Sequence, residues 1–279
     1  MSLGIKDIRD RKENKKGGKQ TSIDLKNISK NQPRKPIMVL HGPEGIGKTT
    51  FAYMSPGNIF LPTEDGPGDL PINNVFGDDK PKAESFDDVL EALKALFTQE
   101  HSYQTLVVDS LDALEKFIWA ATCERNNETT IEKIGGGFGK GYIEADKEWK
   151  QFWDGIAALR NKKNMSVICI AHSQIITIND PTQPSYEKYT LNLNKRAISI
   201  CTDTPDIVGF AHWRVYTTKE KGEDRYRATT SGERILGLTP KPYRVAKNRY
   251  HMADEVELLY PKFVEALPES VRNLMVEKK

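Results

Sequence analysis

Cysteine is scarce in this chain: three in 279 residues, Cys123, Cys169 and Cys201, far apart and odd in number. Such spacing supports neither a disulfide framework nor a zinc site, and Cys169 falls within an apolar run where a small core residue belongs. Long apolar runs are missing too, so no segment reaches membrane-spanning length. Met1-Ser2-Leu3-Gly4-Ile5-Lys6 leads into charge, not into the apolar stretch of a signal peptide. There is no internal repeat. A surplus of one charge sign is also nearly absent, the net being +2. These absences argue against a secreted, disulfide-stapled or membrane-inserted protein and set the expectation of a reducing cytoplasm.

The charge that is present is unevenly placed. Residues 1–35 hold eleven Lys/Arg and four Asp/Glu, a surplus of seven positives, so the remainder carries −5. A basic arm ahead of a mildly acidic body fits contact with a polyanion, and it equally fits a solvated leader. We read residues 1–34 as a basic flexible arm, 35–260 as the folded domain and 261–279 as a C-terminal tail with a closing helix.

The strongest local signal is Gly42-Pro43-Glu44-Gly45-Ile46-Gly47-Lys48-Thr49-Thr50. An apolar run, Pro36 to His41, precedes it as a buried strand, and Thr50 to Met54 can follow as a short helix before Pro56-Gly57. Strand, glycine loop and helix is the context in which G-x-x-x-x-G-K-[ST] cradles phosphates. Its backbone N–H groups turn toward phosphate oxygens, Lys48 reaches the β- and γ-phosphates, and the Thr49 hydroxyl ligates Mg²⁺. The cofactors expected are therefore ATP and Mg²⁺.

Downstream, Asn58–Gly66 reads as a strand ending in acids. Ser85 to Asp88 opens a helix with a capping box. Thr105-Leu106-Val107-Val108-Asp109 reads as a buried parallel strand with an acid at the tip where open α/β sheets bind ligands. Asp109 is thus the expected second metal residue. Glu64, at the end of the strand that follows the phosphate loop, is the candidate to polarise water for attack on the γ-phosphate. After the glycine-rich stretch 135–141, expected to be irregular and mobile, residues 142–160 read as one amphipathic helix. Met165–Ala171 is another buried strand leading into His172-Ser173-Gln174, with Gln174 placed to sense the γ-phosphate. Residues 179–199 read as a polar loop. Two alternating strands flank Lys221-Gly222-Glu223 as an antiparallel hairpin, and Tyr243–Arg249 reads as a late strand whose Lys247 and Arg249 share a face. Transition-state charge in phosphoryl transfer often takes a further cation from a neighbouring subunit.

Together, G-P-E-G-I-G-K-T-T, Glu64, L-V-V-D-S at 106–110, A-H-S-Q at 171–174 and A-K-N-R-Y at 246–250 resemble the RecA-like ATPases, and among them the phage-encoded Sak-type proteins of single-strand annealing and recombination. The resemblance implies a RecA-like P-loop NTPase core: a mostly parallel α/β sheet with helices on both faces and a C-terminal antiparallel hairpin. It implies that Glu64 is the catalytic glutamate, that Gln174 links the γ-phosphate to a DNA-binding loop, and that Lys247 and Arg249 reach the next subunit's ATP. It further implies single-stranded DNA as a partner, self-association into a ring or filament, a single-strand DNA-binding protein as a further partner, and no membrane. If phage-encoded, the protein works in the host cytoplasm. DNA contact is expected at 135–141 and 175–199, the latter offering Tyr186, Lys188, Tyr189, Lys195 and Arg196 for stacking and phosphate pairing. The alternatives are a hexameric helicase or packaging motor on the same core, and a small-molecule kinase.

Overall fold

Ile37–Gly42 is apolar apart from His41 and is buried along its whole length as the central strand β1. The computed structural model describes residues 30, 32–66, 68–78, 80–219 and 226–275. Most of the expected basic arm and the turn at 221–223 therefore lie outside the described residues. After β1 the chain runs through α1 (Lys48–Tyr53), β2 (Asn58–Pro62), α2 (Phe86–Thr98), β3 (Thr105–Asp109) and α3 (Leu111–Arg125). It continues through a 3-10 segment (Ile131–Gly136), α4 (Lys140–Glu144), α5 (Asp146–Lys163), β4 (Ser166–Ile178), β5 (Tyr186–Leu191) and α6 (Lys195–Asp203). Last come β6 (Ile207–Lys219), β7 (Tyr226–Gly237), β8 (Lys247–Asn248), β9 (Glu255–Glu257), α7 (Tyr260–Ala266) and α8 (Glu269–Met275).

The strands form one mixed sheet in the order β2-β3-β4-β1-β6-β7-β9. The first five of these are parallel, and β7 and β9 close the far side antiparallel. This is an α/β P-loop NTPase core with a C-terminal antiparallel pair. One face is covered by α2, α3, α5 and α6 through Phe86, Leu93, Leu114, Trp149, Phe152 and Ile156. The other is covered by α1, α7 and α8 through Phe51, Phe263 and Val271. Burial on both faces explains why the central strands read as unbroken apolar runs. The capping box at the start of α2 is formed: Ser85 accepts from the Asp88 N–H while Asp88 accepts from the Ser85 N–H. Among the described residues no helix is long and apolar enough to cross a membrane.

The structure corrects four local expectations. The glycine-rich stretch is not an open loop, because Ile131 and Ile134 bury and positive φ at Gly135, Gly136, Gly137 and Gly139 folds it back into short helical turns. The single helix expected from 142 divides at Ala145 into α4 and α5. The polar loop 179–199 is largely regular: β4 continues to Ile178 and β5 pairs antiparallel with its outer half, Ser173 opposite Leu191. Tyr186, Tyr189 and Thr190 are residue types that favour strands, and Asp180-Pro181 supplies the turn chemistry between the two strands. The late basic strand shrinks to Lys247–Asn248, because Lys241 and Arg244 make a tight turn.

That turn buries a charge. The Arg244 side chain is wholly buried, with Nη1 2.7 Å from Glu255 Oε1 and Nε donating to the Thr239 carbonyl at 3.1 Å. Gly237 leaves the room it needs, since a β-carbon there would overlap the guanidinium. Arg244→Met strands Glu255 half-buried and empties three backbone and side-chain acceptors, so it lowers unfolding free energy by about 3 kcal/mol in denaturant titration. Glu255→Gln, which keeps an acceptor, costs less.

Candidate active site

The phosphate loop leaves the C-terminal end of β1 and wraps into α1. Gly47, the residue before Lys48, has φ +100°, a left-handed conformation that a side chain would strain. Gly42 lies so close to β6 that a β-carbon would meet the Ala211 carbonyl oxygen at 2.5 Å. Both glycines are therefore required by geometry, one by the turn and one by strand packing.

Lys48 is buried, and its ammonium donates to the carbonyls of Gly42 at 2.9 Å and Pro43 at 2.8 Å. Two of its three N–H groups are thus committed, which fixes the ammonium at the loop and leaves the third for an anion. Burial lowers its pKa, and the nearby carboxylates of Asp109, Asp112, Glu44 and Glu64 oppose that shift. Thr49 Oγ1 donates to Asp109 Oδ2 at 2.9 Å, joining the end of β3 to the start of α1. Burial raises the Asp109 carboxyl, while the Thr49 hydrogen bond and Lys48 pull it back. A hydroxyl and a carboxylate hydrogen-bonded in this way, beside a committed lysine, form the oxygen donor set that suits Mg²⁺.

These groups line one open cleft of about 630 Å³ together with Glu44, Gly45, Thr50, Glu64, Asp65 and His172. The cleft has room for a nucleotide triphosphate tail. Of the expected site residues, the structure brings Glu44, Gly45, Gly47, Lys48, Thr49, Thr50, Glu64 and Asp109 together here. Ile46, between the glycines, is instead fully buried against the α1 side of the sheet and anchors the loop.

Gln174 is elsewhere. It lies within β4, not at the strand's tip, and its Nε2 donates to the Leu191 and Leu193 carbonyls at 2.9 and 3.0 Å. Its amide donors thus hold the join between β5 and α6. Lys247 and Arg249 sit at the opposite edge of the sheet. Lys247 Nζ caps the end of α6 through the Thr202 and Asp203 carbonyls. Arg249 Nη1 pairs with Asp206 at 3.1 Å, and Asp206 also accepts from Arg160 and from the Ile37 N–H at the start of β1. The backbone of Lys247 and Arg249 lies level with the Ile37–Val39 half of β1, roughly 10–17 Å along the strand from this chain's own phosphate loop.

Sequence reasoning gave no site role to His172, which reaches the cleft from β4 and is held there by Asp112 of α3. The His172 N–H donates to Asp112 Oδ2 at 2.8 Å, and its Nδ1 lies 3.6 Å from the same oxygen. Asp112 raises the His172 pKa, with burial and Lys48 working against it. The available signal was a second acid three residues after Asp109, on the first turn of α3. His41, by contrast, is structural: buried, pushed down to about 4 by desolvation, and spanned between Ser173 Oγ and the Val245 carbonyl.

A family model described as an AAA domain matches residues 34–250. The SPbeta prophage-derived uncharacterized protein YorG of Bacillus subtilis (strain 168) is 24% identical over 235 residues, which cover 81% of this chain and 62% of that protein. The chain thus spans about three fifths of the length of the curated relative it matches.

Proposed function

Because the chain belongs to the AAA-domain family of P-loop ATPases, we propose that it hydrolyses Mg-ATP to drive work on single-stranded DNA in phage recombination or annealing. Similarity to a prophage-derived protein supports the phage setting. In this reading Gly42–Thr50 wrap the phosphates, and Lys48 spends its remaining N–H on the β- and γ-oxygens. Thr49 and Asp109 hold Mg²⁺, whose contribution is to neutralise charge developing on the phosphate oxygens. Glu64 orients and polarises the attacking water. His172, held by Asp112, faces the γ-phosphate from the root of the β4–β5 hairpin and takes the sensing role expected of Gln174. Lys247 and Arg249 remain proposals for a neighbouring subunit's site in a ring or filament, since they lie away from their own.

One observation carries the DNA part. Gly139 of the first segment expected to meet DNA and Asn194, Lys195 and Arg196 of the second, far apart in sequence, line a single groove together with Tyr142, Ile143 and Asp146 of α4 and α5. Phe138, next to Gly139 in the chain, is 99% exposed, and Ile143 is 51% exposed. An aromatic beside cations is what sequence-tolerant strand binding uses, stacking on a base contributing about 1–3 kcal/mol. Arg196 is half committed, its guanidinium bound to the Asp146 carboxylate.

The test is the steady-state ATPase rate with and without single-stranded DNA. Stimulation in the parent protein is expected, with Phe138→Ala together with Lys195→Ala reducing it while leaving the DNA-free rate unchanged. A rate indifferent to single-stranded DNA, with no binding in a salt titration, sinks the DNA reading and leaves the nucleotide site standing.

A further inference from the structure

On the flank of the phosphate loop away from Asp109, Glu64 and His172 stands an arginine that the nucleotide reading has not used. Arg234 belongs to β7, opposite Trp213 of β6. Strand alternation puts its side chain on the same sheet face as Leu236, which packs with Ile46 and Phe51 against α1. There it leans over the loop: a β-carbon on Gly47 would overlap its Nη1, with Cζ 3.5 Å from the same point. The neighbouring Glu233 is taken by Arg214. Among the described residues no carboxylate lies within ion-pair distance of Arg234. A planar guanidinium held against loop backbone, with two carbonyls already occupied by Lys48, has a charge in need of an anion.

We propose that Arg234 is a nucleotide-contacting residue supplied within the same chain, its guanidinium taking an oxygen of the phosphates seated at Gly47. The γ-phosphate end of the cleft is defined by Asp109, Glu64 and His172. Arg234 approaches from the other flank, so it contacts the phosphates that ADP and ATP share. Its strand is also half of the β6–β7 hairpin, whose Val215 and Tyr216 stand more than half exposed beyond the sheet. Nucleotide occupancy is thereby tied to that hairpin through one side chain. Glycine at 47 has a second reason, beyond its positive φ: it clears the space through which Arg234 reaches the loop.

This inference rests on the nucleotide reading of the cleft, and the experiment separates the two. Calorimetric binding of Mg-ATP and Mg-ADP is measured for the parent, Arg234→Ala and Arg234→Lys, with hydrogen exchange of residues 207–219 and 226–237 followed with and without Mg-ADP. Expected are a loss of about 10- to 100-fold in affinity for both nucleotides in Arg234→Ala, partial recovery in Arg234→Lys, and nucleotide-dependent protection of the hairpin in the parent only. If the parent binds neither nucleotide, the reading of the cleft fails. If the parent binds and Arg234→Ala binds equally well, Arg234 is a structural residue and the inference is overturned, even where its melting temperature falls. A loss confined to Mg-ATP also overturns it, because it would move the contact to the γ-phosphate.

Discussion

Glu64→Gln lowers ATP turnover by about 10²- to 10⁴-fold while Mg-ATP binding is retained. The carboxylate and the amide have the same shape, so the cleft keeps its walls and loses only the negative oxygen that draws a proton from water. Two other acids near the water's path are already engaged. Asp109 accepts from Thr49 at 2.9 Å, and Asp65 is paired with Lys82 at 2.5 Å. Among the described residues Glu64 has no such partner, which leaves its oxygens open to solvent in the cleft. Single-turnover hydrolysis after loading with Mg-ATP separates chemistry from binding. Equal turnover in the variant removes Glu64 from the mechanism and returns the search to the Asp112–His172 pair.

The parts of the site legible in the sequence were those whose chemistry is local. The phosphate loop needs particular residues at fixed spacing, so Gly42–Thr50 declared itself, and Asp109 followed because an acid ending a buried parallel strand has one place to be. The helices of one face of the sheet were legible for a like reason: Phe86, Val89 and Leu93 of α2, and Trp149, Phe152 and Ile156 of α5, repeat at the helical period and all bury. What escaped was set by tertiary contact. Gln174 and His172 are two residues apart on one strand, and only the packing of Asp112 on α3 and of the β5–α6 join shows which of them reaches the cleft. Tyr186–Leu191 escaped because most of it is polar and only its end, Thr190 and Leu191, is buried. Arg234 left no trace at all, being brought to Gly47 by an antiparallel pairing on the far side of β1. Lys247 and Arg249 looked like a paired cationic face because they alternate, yet their nearest needs are the end of α6 and Asp206.

Lys48→Ala reduces Mg-ATP affinity by about 100-fold or more. The position of the lysine is fixed by the loop itself, through the Gly42 and Pro43 carbonyls. Its burial makes the interaction strong, because solvent screens it little, and four neighbouring carboxylates oppose the lowering of its pKa that burial causes. Substitution leaves two loop carbonyls without their donor, so a small loss of stability in the nucleotide-free protein is expected as well. The two effects are distinguished by linkage. A ligand at a hundred times its Kd stabilises the folded state by about 2.7 kcal/mol, and after a hundredfold loss of affinity the same concentration contributes about 0.4 kcal/mol, so Mg-ATP raises the melting temperature of the parent far more than that of the variant. A variant that is destabilised yet still shifted upward by Mg-ATP, to the same extent as the parent, would mean that the triphosphate does not sit against this lysine. The roles given to Thr49, Asp109, Glu64 and Arg234 would then have no ligand to act on.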